Sequence, residues 1–175
     1  MNIGVFSSQY DVAEKYKKAT EELGNLIAAG GHTLVWGGAA EGLMDLLPTV
    51  VQKGGSKVIG VMREALRAKA FKTADEMHIG GNAFDMNMGI IERSDVIFVL
   101  VGGIGTLNEV TEIIRMNKNG QHAKQVIFIN TDGFYDGMKM QLDRMAAEGF
   151  VRKDVAASVS FADTSMEAMR LVEHK

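Results

Sequence analysis

Three observations place this chain in the α/β class, with a parallel, doubly wound sheet and helices on both faces. Short runs of apolar and β-branched residues alternate along its length with stretches whose apolar residues recur at helical spacing. One run, Val96 to Val101, is apolar throughout, as in a strand covered on both sides. Glycine clusters stand where such runs pass into helices, at Gly37-Gly38 with Gly42 and at Gly102, Gly103 and Gly105.

At 175 residues, 46% hydrophobic and with one proline, the chain has enough apolar material for one sizeable core, so a single domain over residues 1–175 is expected. A formal net charge of −3, with both signs interspersed, offers no basic footprint for a nucleic-acid polymer or an anionic membrane. The absence of cysteine excludes disulfides and thiolate metal sites. No apolar stretch approaches the roughly 20 residues that a membrane span requires. Asn2 to Phe6 already reads as a strand, so no cleavable signal is expected ahead of the fold, and the expected location is the cytoplasm.

Ile3 to Phe6 forms the first strand, followed by a polar turn at Ser7-Ser8-Gln9. Asp11 and Glu14 have capping-box spacing, and Tyr16, Ala19, Leu23, Leu26 and Ile27 carry a helix that ends at Gly30-Gly31. Thr33 to Trp36 is the second strand, and the glycine loop of Gly37 to Gly42 leads into a helix over Leu43–Lys53. Pro48 falls inside that helix and should kink it by removing a hydrogen bond. Val58 to Met62 is a strand ending at Arg63, and Glu64 to Ala70 is a short charged helical piece. Phe71 to Asp85 lacks periodicity and reads as a loop, with at most a short strand at Glu76 to His78. A helix is expected from Met86 to Ser94 with Asp85 as its cap. It is followed by the Val96–Val101 strand, a helix over Thr106–Lys118, and a strand at Val126–Ile129. Beyond these come a helix from about Tyr135 to Glu148, a strand near Ser158–Phe161, and a last helix, capped by Thr164 and Glu167, that runs to the C-terminus.

The stretch from Asp95 to Glu109 carries the strongest chemical signal. A buried strand empties into Gly102, Gly103 and Gly105 before a helix begins. Glycines let a ligand approach the backbone closely, and the free amides and positive dipole end of the helix favour a phosphate or carboxylate. Ligands of doubly wound sheets sit at the carboxyl ends of strands, where strand order reverses. Both glycine loops and Arg63 belong at such ends. A plainer reading stands beside this one, in which Thr106 and Glu109 form a Thr-x-x-Glu capping box and Gly37 to Gly42 form a tight turn. Trp36 reads as a buried strand-end residue or a base-stacking one. His78 reads as a solvated histidine, Asp132 and Asp136 as turn and helix-start residues, and the methionines as core filler.

The run Gly102-Gly103-Ile104-Gly105-Thr106-Leu107-Asn108-Glu109 resembles the Pro-Gly-Gly-x-Gly-Thr-x-x-Glu motif of the Lonely Guy (LOG) family, often described as "possible lysine decarboxylase". Trp36-Gly37-Gly38 with Gly42-Leu43-Met44 is similar to a second family segment. Asn130-Thr131-Asp132-Gly133-Phe134-Tyr135-Asp136 and Glu148-Gly149-Phe150 are similar to two more. The resemblance implies a Rossmann-like fold, a homodimer, and hydrolysis of the N-glycosidic bond of a nucleoside 5′-monophosphate, either AMP or an N6-substituted AMP of the cytokinin type. The products are a free base and ribose 5-phosphate, with no cofactor and no metal. It assigns Gly102, Gly103, Ile104, Gly105 and Thr106 to the phosphate, with Gly37, Gly38, Gly42, Met86 and Asn87 also at the nucleotide, and Glu109 to catalysis near the ribose.

Two positions depart from the family pattern. Val101 stands in place of the motif's proline, and Met86-Asn87 stand where the family places a catalytic arginine. Arg93 lies seven residues after Met86, about 10 Å further along a helix, which makes it a poor substitute. Arg63, at a strand end, is the candidate replacement cation. The alternative to an enzyme is a nucleotide-binding or sensing module that keeps the phosphate loop and lacks the arginine. Lysine decarboxylation would need a Schiff-base lysine, and no lysine has that context. Dinucleotide oxidoreduction would need Gly-x-Gly-x-x-Gly after the first strand, where Ser7-Ser8-Gln9 stands.

Overall fold

The computed structural model describes residues 1–173. Its centre is a seven-stranded sheet, parallel throughout: β1 (Asn2–Phe6), β2 (Thr33–Trp36), β3 (Val58–Met62), β4 (Glu76–Ile79), β5 (Val96–Val99), β6 (Val126–Ile129) and β7 (Val159–Ala162), in the order β4-β3-β2-β1-β5-β6-β7. The chain works outward from β1 to β4, then returns to the other side of β1 to lay down β5. The order therefore reverses between β1 and β5, where Val5 is level with Trp36 on one neighbour and Phe98 on the other. The α/β, Rossmann-like class expected from the sequence is the class observed.

Alternate residues of the central strands supply two cores. Ile3, Val5, Leu34, Trp36 and Phe98 meet Leu23 and Ile27 of α1 (Glu14–Ala29), Leu47 and Val51 of α2 (Leu43–Lys53), and Ala168 and Met169 of α7 (Ser165–Glu173). On the opposite face, Val35, Ile59, Ile97, Val99 and Phe128 meet Ile90 and Ile91 of α3 (Ala83–Arg93), and Val110, Ile113 and Met116 of α4 (Ile104–Lys118). Tyr135, just before α5 (Asp136–Ala147), closes that side. With both sheet faces covered, the central strands bury nearly every side chain, which explains their continuous apolar runs.

Pro48 does not end α2. Its missing amide would have bonded the carbonyl of Met44, four residues back. That carbonyl instead accepts the indole N–H of Trp36 at 3.0 Å, so the lost bond is replaced from the neighbouring strand. This gives Trp36 a structural place: it is 1% exposed and packs edge-on to Phe71.

Several helix starts differ from expectation. Asp11 does not cap α1, which begins after Ala13 with no side-chain cap; Asp11 pairs with Lys17 at 2.6 Å instead. The third helix begins three residues earlier than Met86. Asn82 is its cap, with Oδ1 accepting the amides of Phe84 and Asp85, and Asp85 returns the bond to the Asn82 amide at 2.8 Å. A short aspartate fills the place usually given to Glu in this reciprocal cap, which hid the signal. Strand β5 stops at Val99, and α4 starts at Ile104. The short helix α6 (Lys153–Ala157), anchored by the buried Val155, had no expectation attached to it. At α7, Thr164 Oγ1 accepts the Glu167 amide at 3.1 Å as expected; the end of the expected helix lies outside the described residues.

Candidate nucleotide site

A cavity of about 420 Å³ opens at the carboxyl ends of β1 and β5, at the reversal of strand order, and lies within the range of small-ligand sites. The loop after β1, the start of α4, Gly37, Ala39 and Met44 from the second glycine loop and α2, and Arg63 and Leu66 beyond β3 all line it.

Helix α4 begins on Gly103, whose side gives no cap, and its first turn carries no acidic residue. The backbone ladder begins with the Leu107 amide, which donates to the Gly103 carbonyl at 3.0 Å. The amides of Ile104, Gly105 and Thr106 precede it, and in any helix such amides lack a partner within the helix. A Cβ at Gly103 or Gly105 would meet nothing within 4 Å, so the space before these amides is open. At Gly102 the restriction is internal, since a Cβ there would sit 2.1 Å from Thr106 Oγ1. Thr106 is buried at 5% exposure, and its hydroxyl donates to the Ser7 carbonyl at 3.3 Å, tying α4 to the loop after β1.

The Thr106–Glu109 capping box of the plainer reading does not form. Thr106 is spent on Ser7, and Glu109, on the next turn of the same helix face, reaches into the cavity. Burial pushes the Glu109 carboxyl up to about 7, against the opposing pull of the Arg63 guanidinium, the charge that acts on it. Arg63 follows β3 directly and is exposed. Its neighbour Glu64 is taken by Arg67 in a two-bonded pair. None of the ion pairs among the described residues involves Arg63, and no lysine lines the cavity among them.

Of the residues singled out in the sequence, the cavity brings together Glu109, Arg63, Gly103, Ile104, Gly105, Thr106, Gly37 and Met86. Four do not line it. Gly102 lies behind the loop, against Thr106. Gly38, at φ 72°, packs its Cα side on Met77 and Met62, and its carbonyl accepts the Phe71 amide at 2.8 Å. Gly42, at φ 55° and ψ −133°, lets α2 press on the first loop: a Cβ would fall 2.4 Å from the Tyr10 carbonyl oxygen. Asn87 is 1% exposed and turned toward α4, donating to Glu112 Oε2 at 2.9 Å while its own Oδ1 has no partner. His78 is exposed at the β4 edge beside Glu76, away from the cavity.

The sequence reading passed over the loop from Ser7 to Tyr10. Ser8 Oγ accepts the Tyr10 amide at 3.0 Å and the Ser8 carbonyl accepts that of Leu43, so the loop is clamped between α2 and α4. Tyr10, 64% exposed, stands at the mouth. The signal was available, because the strand-order rule points to the loops after β1 and β5 alike.

The chain resembles known proteins over most of its length. The family described as "Possible lysine decarboxylase" matches residues 44–172. A probable cytokinin riboside 5′-monophosphate phosphoribohydrolase of Oryza sativa subsp. japonica is 34% identical over 157 residues, spanning 89% of this chain and 70% of that one. A cytokinin riboside 5′-monophosphate phosphoribohydrolase of Arabidopsis thaliana is 31% identical over 160 residues, spanning 90% and 74%. Among solved structures, the molybdenum cofactor binding protein of Rippkaea orientalis superposes with a TM-score of 0.77 over 99% of this chain and 95% of its own, at 23% identity. The molybdenum cofactor carrier protein of Chlamydomonas reinhardtii gives 0.75 over 99% and 96%, also at 23% identity. At that identity these structures speak for the fold alone, whereas the sequence matches, together with the glycine loop and Glu109, show that the chain belongs to the Lonely Guy family, the "possible lysine decarboxylase" group.

Proposed function

We propose that this protein hydrolyses the N-glycosidic bond of a nucleoside 5′-monophosphate, AMP or an N6-substituted AMP, releasing the free base and ribose 5-phosphate. The observation that carries the reading is one helix start: uncapped amides at Ile104 to Thr106 and, one turn on, a cavity-facing carboxyl at Glu109. The 5′-phosphate accepts from those amides at the positive end of α4. In this reading the ribose lies over Glu109.

Departure of the base takes the C–N bonding electrons with it and leaves an oxocarbenium-like ribosyl cation. Ionised Glu109 stabilises that cation and takes the proton of the attacking water; the base takes a proton from solvent as it leaves, and Glu109 returns its own to solvent, so one water is consumed per turnover. Glu109 titrates near neutrality, so it holds a proton readily and gives it up readily. Arg63 favours the ionised form and is the cation available where the family arginine is replaced by Met86. Gly37, Ala39, Met44, Leu66 and Tyr10 offer a largely apolar wall for the base. Membership of the family supports the reading, as do the activities named for the plant relatives. A homodimer, a cytoplasmic setting and a single domain over residues 1–175 belong to the same proposal. Among the described residues no helix is long and apolar enough to cross a membrane.

One observation favours a second reading, a nucleotide-binding module without turnover: Met86, not an arginine, lines the cavity where the family pattern puts an arginine. Incubation of the purified protein with AMP and other purine and pyrimidine monophosphates, followed by chromatography, separates the two. Adenine and ribose 5-phosphate in equal amounts support the hydrolase. Binding by calorimetry with no free base from any monophosphate would leave the binding module.

A further inference from the structure

Tyr135 lies outside the cavity, yet its hydroxyl is committed to the backbone of the phosphate loop. The side chain is 2% exposed, and its O–H donates to the Leu100 carbonyl at 2.8 Å. The Gly102 backbone also interacts with the phenol. One hydroxyl thus spans the chain on both sides of Val101, where β5 turns into the glycine loop.

The surrounding segment delivers that hydroxyl. Asn130 Oδ1 accepts the Tyr135 amide at 2.6 Å, and Asn130 Nδ2 donates to Asp136 Oδ1 at 2.8 Å. Asp132 and Gly133 take left-handed backbone, at φ 57° and 70°, to fold the segment back. The ring is held edge-on by Phe128 and Phe134, each 4.9 Å away between centroids. Burial raises the phenol well above its ordinary value, so it stays a proton donor throughout the working range of pH.

A proline at position 101 would fix φ near −65° and confine Leu100 to extended backbone. Val101 imposes neither restriction. We propose that Tyr135 is a positioning residue that fixes the Leu100–Gly102 backbone through its hydroxyl, and so aims the Ile104–Thr106 amides in a loop whose own sequence leaves the turn free. This inference rests on the reading of those amides as the 5′-phosphate site. Thr106 holds the loop from the β1 side and Tyr135 from the β6 side, so the amides are set between two anchors.

The test uses Y135F, which keeps the ring contacts and removes only the hydroxyl, and the double variant V101P/Y135F. Two measurements are made: amide hydrogen exchange over residues 100–107 without ligand, read at the bonded amides of Leu100, Gly102 and Leu107, and kcat and KM for AMP. For Y135F we expect exchange to quicken in that segment but not in β1 or β2. KM should rise about 5- to 10-fold, as for loss of one buried hydrogen bond, with kcat within about twofold. V101P/Y135F should return both toward wild type. Unchanged exchange at Leu100, Gly102 and Leu107, or equal quickening throughout the sheet, would overturn the proposal, as would a double variant no better than Y135F. If Y135F alone does not fold, V101P/Y135F must fold with a slowly exchanging loop; its failure also counts against the clamp. Wild-type protein that releases no base would remove the hydrolase reading instead, and the exchange measurement would still decide the clamp.

Discussion

Two loops of this protein look alike in sequence and differ in use. Gly37 to Gly42 and Gly102 to Gly105 each join a buried strand to a helix, and neither helix has a side-chain cap. In the first, the space that glycine leaves is mostly filled by protein. A Cβ at Gly42 would strike Tyr10 and Gln9 backbone at 2.4–2.5 Å, and one at Gly38 would meet the Met77 sulfur at 2.9 Å. In the second, Gly103 and Gly105 face open space. A glycine needed by the chain and a glycine left for a ligand are thus distinguished by what would meet the missing Cβ.

The largest test of this contrast is Gly42→Ala against Gly105→Ala. At Gly42 the positive φ and the backbone overlap should cost about 3 kcal/mol or more in urea unfolding. Gly105→Ala, inside a helix turn with room for a methyl group, should change stability by less than about 1 kcal/mol while weakening AMP binding several-fold. Equal losses of stability at both positions would erase the distinction.

A smaller effect is expected inside the first region. Trp36→Phe removes the donor to the Met44 carbonyl, and Pro48→Ala restores an amide at the position that ordinarily serves it. In a double-mutant cycle Pro48→Ala should recover about 1 kcal/mol in the Trp36→Phe background. Purely additive effects would mean that the indole N–H does not replace the lost helix bond.

The smallest effects concern pH. Glu109 has a folded-state value of about 7, above the ordinary 4.5 of a glutamate, so the folded protein holds that proton more tightly than the unfolded chain. The associated stability is fully present below about 4.5 and is lost as pH rises through 7. Replacing Glu109 by Gln should therefore raise the melting temperature relative to wild type at pH 8 more than at pH 5. Under the proposed mechanism, in which ionised Glu109 is the working form, kcat/KM should rise through about pH 7. Arg63→Gln removes the charge that lowers this value, so the midpoint should move to higher pH. A midpoint that does not move would detach Arg63 from Glu109.

The sheet was legible because its central strands are apolar on both faces, and β2, α2, β3 and β6 have the boundaries that their residues imply. Starts of helices were less legible. Asp11 and Glu14 have capping spacing, but Lys17 draws Asp11 away, and Asn82 with Asp85 performs the cap that Asp85 alone was expected to provide. At the cavity, strand–glycine–helix order pointed to Gly103, Gly105 and Thr106, the family resemblance to Glu109, and the end of a strand to Arg63. Asn87 and Gly42 did not follow, because direction along a helix and the identity of a facing neighbour are properties of packing, which spacing alone does not carry. The same limit hid the reach of Tyr135 to Leu100 across 35 positions in sequence, whereas Ser7 to Tyr10 lay within the strand-order rule and was passed over.

The central claim is that Glu109 acts on a nucleotide held by the start of α4, and E109Q with AMP tests it most directly, with base release followed by chromatography and binding by calorimetry on one preparation. The expected result is loss of turnover by a factor on the order of 100 or more, with AMP affinity largely retained. Turnover equal to wild type would contradict it and leave Glu109 as a helix residue that happens to face a cavity.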